Sequence, residues 1–313
     1  MTNVRFIDFW KDFDPKENIF LQILNSELGK IDIEQGHKNF VDFEFHSVFL
    51  GRRAQISKKI SSLVRQGVKS EPALANVSQS NVKISKEKSS RQIWYTGENV
   101  RPPLSAGYDG YLSFDQDSYG GRNAYLPLWW LRLNWYEDSK FSPQLGTKIE
   151  MQSLLKPRQL GAKKSKFACA FIGNPHPLRI HFIEELSKLG NVDVFGSHVG
   201  KPVTNKYDIA KDYKYSVCFE NDLFPGYVTE KLVDSYAINN IPIYWGNLGN
   251  DNNINRSAFL NLSDFNSVSD FIDCLSDIDY EKKYNQPFLK SPPNLSEVIR
   301  VICAEFQQNR KSS

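Results

Sequence analysis

Four short apolar runs in the second half of this chain, FACAFIG, NVDVFG, YSVCFEN and IPIYWG, alternate with stretches whose apolar residues recur every three to four positions. Short strands alternating with amphipathic helices imply parallel sheets built from right-handed crossovers. In the clearest helical stretch the loop NPHP precedes Leu178, Phe182, Leu186 and Leu189 on one stripe. A second helical stripe covers Val228–Ala237.

The first half shows the same alternation less cleanly. VRFIDFW reads as a strand, and Phe20, Ile23, Leu24 and Leu28 fall at helical spacing. NFVDFEFHSVFLG alternates like a strand, a helix is expected around Ala54–Arg65, and RQIWYTGEN is a strand running into Gly97, Glu98 and Asn99. YDGYLSFD is another strand, and YLPLWWLRL closes this half with a buried-looking aromatic group. A chain of 313 residues suits two domains. The polar, basic KPRQLGAKKSK breaks the pattern, so the expected division is residues 1–155, a linker at 156–166, and residues 167–313, with the C-terminal segment free to pack back on the first domain.

The net charge of +3 predicts no nucleic-acid partner. Ten Lys/Arg stand against two Glu between Gly51 and Arg91. That excess suits either a solvated linker or a patch facing an acidic or membrane-bound partner, which leaves peripheral membrane contact open. Cys169, Cys218, Cys274 and Cys303 are far apart and match no zinc or redox spacing, so reduced thiols are expected. No run approaches the ~20 apolar residues of a membrane span and no secretion signal is visible, so a cytoplasmic location is expected. Asp115-Gln116-Asp117 is a D-x-D triplet, read here as a solvated strand end, and no metal site is expected.

The polar residues crowded after YSVCFEN carry the chemistry. In an open parallel sheet ligands bind beyond the carboxyl ends of the strands, where Glu220 and Asn221 fall. Tyr227, Glu230 and Lys231 fall at the start of the next helix. A helix N-terminus with a lysine suits phosphate, and a carboxylate suits ribose hydroxyls. Together they describe a nucleoside diphosphate site without a glycine-rich loop. The same residues also suit an ordinary capped helix. Glu98, before Pro102 and Pro103, is placed to project from a strand end or to serve as a surface turn residue. Arg179 in the helix after NPHP is either a phosphate ligand or a surface arginine.

The segment FENDLFPGYVTEKLVDSYAINNIPIYWG resembles the signature of the α1,3/4-fucosyltransferases, glycosyltransferase family 10. YTGENVRP resembles the acceptor-side motif of the bacterial members, and FIGNPHPLRIHFIEEL their intervening donor-domain segment. The matches keep the family's order and span roughly Val4 to Phe271. The resemblance implies an α/β fold of GT-B architecture, two facing Rossmann-like domains with the active site in the cleft. It implies an inverting transfer of L-fucose from GDP-fucose to a sugar hydroxyl, O3 of a GlcNAc or Glc residue in the expected case, on an oligosaccharide or polysaccharide. Glu98 is then the general base. Asn221, Tyr227, Glu230 and Lys231 bind GDP-fucose, with Arg179 on the diphosphate. Glu220 and Asn174, on the matching segments, are further candidates.

No cofactor is required in this reading, with stimulation by a divalent cation left open. The partners are a nucleotide sugar and a glycan acceptor. The alternatives keep the fold: a transferase for another GDP-activated deoxysugar, or a non-catalytic glycan- or nucleotide-binding protein. The hydrophobic anchor of the animal members and the heptad-repeat tail of some bacterial members are expected to be absent. Arg101-Pro102-Pro103 and the basic segment look individual, so acceptor identity stays open.

Overall fold

A computed structural model describes residues 2–11, 13–34, 40–49, 90–136, 141–142, 146–159, 161, 164–173, 175–201 and 203–311. The chain divides into two compact units, Met1–Tyr125 with Leu295–Ser313, and Leu126–Asn294.

The first unit is a six-stranded sheet of β1 (Thr2–Ile7), β2 (Ile31–Ile33), β3 (Phe43–His46), β4 (Arg91–Tyr95), β5 (Gly110–Ser113) and β6 (Asn123–Tyr125). Its order is β2-β1-β3-β4-β5-β6, and every neighbouring pair is parallel. Helix α1 (Ile19–Leu28) forms where the apolar spacing places it. Asn18 caps it, its side chain accepting from the Leu21 N–H at 2.9 Å. Phe20 is fully buried. Its ring centroid lies 5.0 Å from that of Phe45 and 4.9 Å from that of Tyr95. The helix expected at Ala54–Arg65 lies outside the described residues.

The last helix, α5 (Ser296–Lys311), belongs to this first unit. Arg91 is 7 % exposed. Its guanidinium donates to the carbonyls of Val301 and Ile302 at 2.7 and 2.8 Å. One charge of the basic 51–91 run is thus spent inside the unit rather than on a surface. Gly110 allows β5 to approach the same helix, since a Cβ there would sit 2.7 Å from Val301 Cγ1.

The second unit holds a five-stranded parallel sheet of β7 (Lys166–Phe171), β8 (Val192–Phe195), β9 (Tyr213–Phe219), β10 (Ile241–Trp245) and β11 (Leu260–Asn261). The order is β8-β7-β9-β10-β11. Helices α2 (Pro177–Leu186), α3 (Glu230–Ala237) and α4 (Val268–Ser276) belong to the same unit. Pro177 opens α2, where its missing N–H costs nothing. Phe182 and Leu186 are fully buried, but Leu189 lies beyond the helix and is exposed, so the apolar stripe ends one turn earlier than its spacing suggests.

Residues 126–155 group with this second unit, whereas the spacing put them in the first. The reason is packing. YLPLWWLRL does not extend β6 but folds into a 3₁₀ turn at Leu128–Arg132. Trp129, fully buried, meets the Phe288 ring edge-on at 6.0 Å. Arg132 Nε donates to Asp234 Oδ1 on α3 at 2.6 Å. The expected linker is tied down as well. Arg158 stacks between the rings of Tyr236 and Tyr284, at 3.8 and 4.2 Å from their centroids. It donates to the carbonyls of Tyr236, Asn240 and Tyr284.

Candidate active site

Strand order in the second unit reverses between β7 and β9, and ligands of open α/β sheets bind at the carboxyl ends beside such a reversal. The chain leaves β9 at Phe219, and Glu220 follows. Its N–H donates to the Trp245 carbonyl at 2.8 Å, adding one more rung to the β9–β10 ladder. That rung turns the Glu220 side chain inward, where it has no exposure to solvent.

A buried carboxylate without partners would cost several kcal/mol. Glu220 has four donors. The Thr229 N–H reaches Oε1 at 2.7 Å, the Thr229 hydroxyl Oε2 at 2.8 Å, the Lys231 Nζ Oε2 at 3.0 Å, and the Tyr244 hydroxyl Oε1 at 3.2 Å. Thr229 is the N-cap of α3. Its hydroxyl donates to Glu220 and accepts from Lys231 Nζ at 3.0 Å, so one oxygen joins both charged groups. Burial pulls the Lys231 ammonium down, and the carboxylates of Glu220 and Glu230 outweigh it, so its pKa lies above the ordinary value. The side chain remains 27 % exposed. Two of its three N–H directions go to Glu220 and Thr229; among the described residues the third has no acceptor.

Arg179 on α2 is no surface arginine. It is 5 % exposed, and its Nη2 donates to the carbonyls of Phe219 and Glu220 at 2.8 and 3.2 Å. Burial lowers its pKa and Glu220 partly offsets this, but a guanidinium stays charged in any case. The cation therefore braces the end of β9 immediately behind the Glu220 carboxylate.

Between Glu220 and α3 the chain makes a polar excursion. Asn221 is exposed there. Gly226 takes φ 85°, which favours glycine, and its N–H donates to the Asn247 carbonyl at 2.9 Å. Tyr227 then turns in and is 2 % exposed. It sits two residues before the cap, so it precedes α3 rather than opening it. Glu230 is the first helical residue and is half-buried. The ring of His176, just before α2, lies 5.6 Å from the Trp245 ring. Asn174 lies outside the described residues.

Glu98 belongs to the first unit, in the bend after β4, and is exposed. The fully buried Thr96 holds that bend, its hydroxyl donating to the Glu98 carbonyl and accepting from the Glu98 N–H, each at 3.0 Å. Arg101 donates to Asn99 Oδ1 at 2.9 Å and lies over the Phe114 ring. The D-x-D triplet is only half solvated. Asp115 is buried and accepts from the Tyr119 hydroxyl and the Asp117 N–H, whereas Asp117 is exposed. Among the described residues no group of three or more His, Cys, Asp or Glu could hold a metal ion.

Sequence reasoning brought Glu220, Glu230, Lys231 and Arg179 to one strand end but missed Thr229 and Tyr244. Thr229 was accessible, since a threonine just before a helical stripe is a cap signal. Tyr244 was not, because nothing in IPIYWG marks one of its aromatics as a hydrogen-bond donor.

Two parallel α/β sheets, the second with a lysine, an arginine and a capped helix at its carboxyl edge, make up a fold of the GT-B class. Residues 161–291 match the family model described as glycosyltransferase family 10 (fucosyltransferase) C-term. The chain is 30% identical over 214 residues to the Helicobacter pylori alpha-(1,3)-fucosyltransferase FucT, an alignment covering 61% of this chain and 45% of that protein. It is 29% identical over 126 residues to human 4-galactosyl-N-acetylglucosaminide 3-alpha-L-fucosyltransferase 9, covering 38% of this chain and 35% of that one. The chain spans less than half the length of these curated relatives. Its fold matches the crystal structure of an alpha1,3-fucosyltransferase with GDP-fucose at a TM-score of 0.65 and 22% identity, over 98% of this chain and 89% of that one. Among the described residues no helix is long and apolar enough to cross a membrane.

Proposed function

We propose that this chain transfers L-fucose from GDP-fucose to a glycan hydroxyl with inversion at the anomeric carbon. The observation that carries the reading is the Lys231 ammonium, fixed by Glu220 and Thr229 in the first turn of α3, inside the segment that matches the family 10 model. An ammonium and a helix N-terminus at a strand end suit the diphosphate of a nucleotide sugar. The FucT relative and the GDP-fucose complex of the matching fold supply the donor and the α1,3 linkage as the chemistry to test.

In this reading Lys231 and Arg179 stabilise the charge that develops on departing GDP. Glu230 takes the ribose hydroxyls, with Asn221 and Tyr227 completing the donor contacts. Glu98 accepts the proton of the attacking hydroxyl. Inversion needs a single in-line displacement and no covalent enzyme intermediate. An O3 hydroxyl of GlcNAc or Glc is the expected acceptor position.

The test is incubation with GDP-fucose and an acceptor array, followed by linkage analysis. A fucosylated product with a β-to-α change at the anomeric carbon supports the reading. GDP binding without transfer to any member of a broad array would favour a binding protein. Transfer from GDP-mannose in preference to GDP-fucose would change the sugar.

A further inference from the structure

Glu220 is a fully buried carboxylate at the site for which the proposed chemistry has no use. It cannot meet the donor, because its side chain has no solvent exposure and both oxygens already accept two hydrogen bonds each. Two of the four come from Thr229 and one from Lys231. The fourth comes from Tyr244 on β10, a strand hydrogen-bonded to β9 itself. The carboxylate thus joins β9, β10, the cap of α3 and the tip of Lys231. Arg179 fixes it from behind by holding the Glu220 carbonyl.

We propose that Glu220 is a positioning residue for the donor reaction: it does not touch the nucleotide sugar but anchors the Lys231 ammonium and the Thr229 cap, so that the remaining N–H of Lys231 is aimed at the diphosphate. A lysine has four rotatable side-chain bonds and would otherwise sample many positions. Here Oε2 of Glu220 and Oγ1 of Thr229 fix two N–H directions, and tetrahedral geometry then sets the third. A second consequence is electrostatic. Each cation acts beside a fixed negative charge, so the site attracts a diphosphate by geometry more than by excess charge. A Glu220→Gln change adds one positive charge yet turns a donor NH₂ toward Lys231 or Thr229. Simple attraction predicts tighter GDP binding in that variant. The positioning role predicts weaker binding.

The inference rests on the donor reading above, and a double-mutant cycle with GDP in a calorimeter separates the two. Lys231→Met is expected to weaken GDP binding by on the order of tenfold or more, the scale of a charge-assisted hydrogen bond. If it does not, the donor reading itself is at fault. Glu220→Gln should weaken GDP binding by a comparable factor in the wild-type background. It should add less than about twofold in the Lys231→Met background, because its effect passes through Lys231. A purely structural Glu220 would give the same loss in both backgrounds. Glu220→Gln binding GDP as well as or better than wild type would overturn the proposal while leaving the donor reading intact.

Should Glu220→Gln fail to fold, the Thr229 pair decides. Thr229→Ser keeps the bridging oxygen and should bind GDP as wild type does. Thr229→Val removes it and should lose several-fold. Equal affinity in both would refute the proposal.

Discussion

The Thr96 hydroxyl holds both backbone groups of Glu98, donating to its carbonyl and accepting from its N–H, each at 3.0 Å. The clamp sits at the end of β4 and leaves the Glu98 side chain exposed. A carboxylate that is to accept a proton must be reachable and yet fixed in place, and this turn supplies both. Glu98→Gln is expected to lower transfer by on the order of 10²–10⁴ while GDP affinity holds. Near wild-type turnover would remove Glu98 from the mechanism. Thr96→Val should lower turnover by about tenfold or more through misplacement of that side chain, with Thr96→Ser close to wild type. Steady-state kinetics on the three variants, with calorimetry for GDP, checks both statements.

Arg179 and Lys231 should separate by what else they lose. Arg179→Ala removes the donor that satisfies two carbonyls at the end of β9, so both its melting temperature and its GDP affinity should fall. Lys231→Ala should weaken GDP binding more than Arg179→Ala does, because its ammonium has an N–H direction left over. Thermal melts alongside calorimetry distinguish the two. An Arg179→Ala protein with unchanged melting temperature would mean that the brace is unimportant.

The Arg132–Asp234 pair, at 2.6 Å with side chains only 10% and 15% exposed, ties the Leu128–Arg132 turn to α3. Removing one member of such a pair leaves an uncompensated buried charge. Arg132→Met is therefore expected to cost about 3–5 kcal/mol in urea unfolding. Arg132→Met combined with Asp234→Leu should recover most of that loss. If the double variant is no more stable than the single one, the cost lies in lost packing of the arginine stem instead.

Glu44 on β3 gives a pH signature. The His46 ring at 3.5 Å and Arg5 at 2.6 Å hold its carboxyl below the ordinary value, against the opposing effect of burial. With a depressed folded-state pKa, the unfolded chain binds the proton more readily. The resulting stability is present above the ordinary carboxylate range and is lost as pH falls through the folded value. The stability difference between wild type and Glu44→Gln should shrink as pH falls from about 5 toward 3. A difference that stays constant or grows on acidification would contradict the assignment.

Strand identity was legible wherever apolar runs were short and bounded. FACAFIG, NVDVFG, YSVCFEN and IPIYWG all became neighbours in one parallel sheet. What local pattern could not convey was which core a segment joins. YLPLWWLRL reads the same whether it closes the first unit or opens the second. The outcome depends on Phe288 and Asp234, more than a hundred residues away. Arg158 likewise looks like linker basicity until two tyrosines from distant helices close around it. At the candidate site the residue types pointed to phosphate and ribose chemistry. They could not reveal that Glu220 faces inward, because that follows from one extra rung of the β9–β10 ladder. The same limit applied to Arg179, whose burial is set by where β9 ends.

The route of the chain through the first unit has a consequence for biosynthesis. That unit is built from residues on both sides of the second, Met1–Tyr125 and Leu295–Ser313, whereas the second unit is one continuous stretch. During synthesis from the N-terminus the second unit can close while the first still lacks its final element. Until α5 emerges from the ribosome, the Arg91 guanidinium has no Val301 or Ile302 carbonyl to meet, and the Gly110 backbone faces water where Val301 will sit. The first unit's sheet is thus begun before the second unit is made and completed after it, and in that interval the incomplete sheet offers apolar surface to proteases and chaperones.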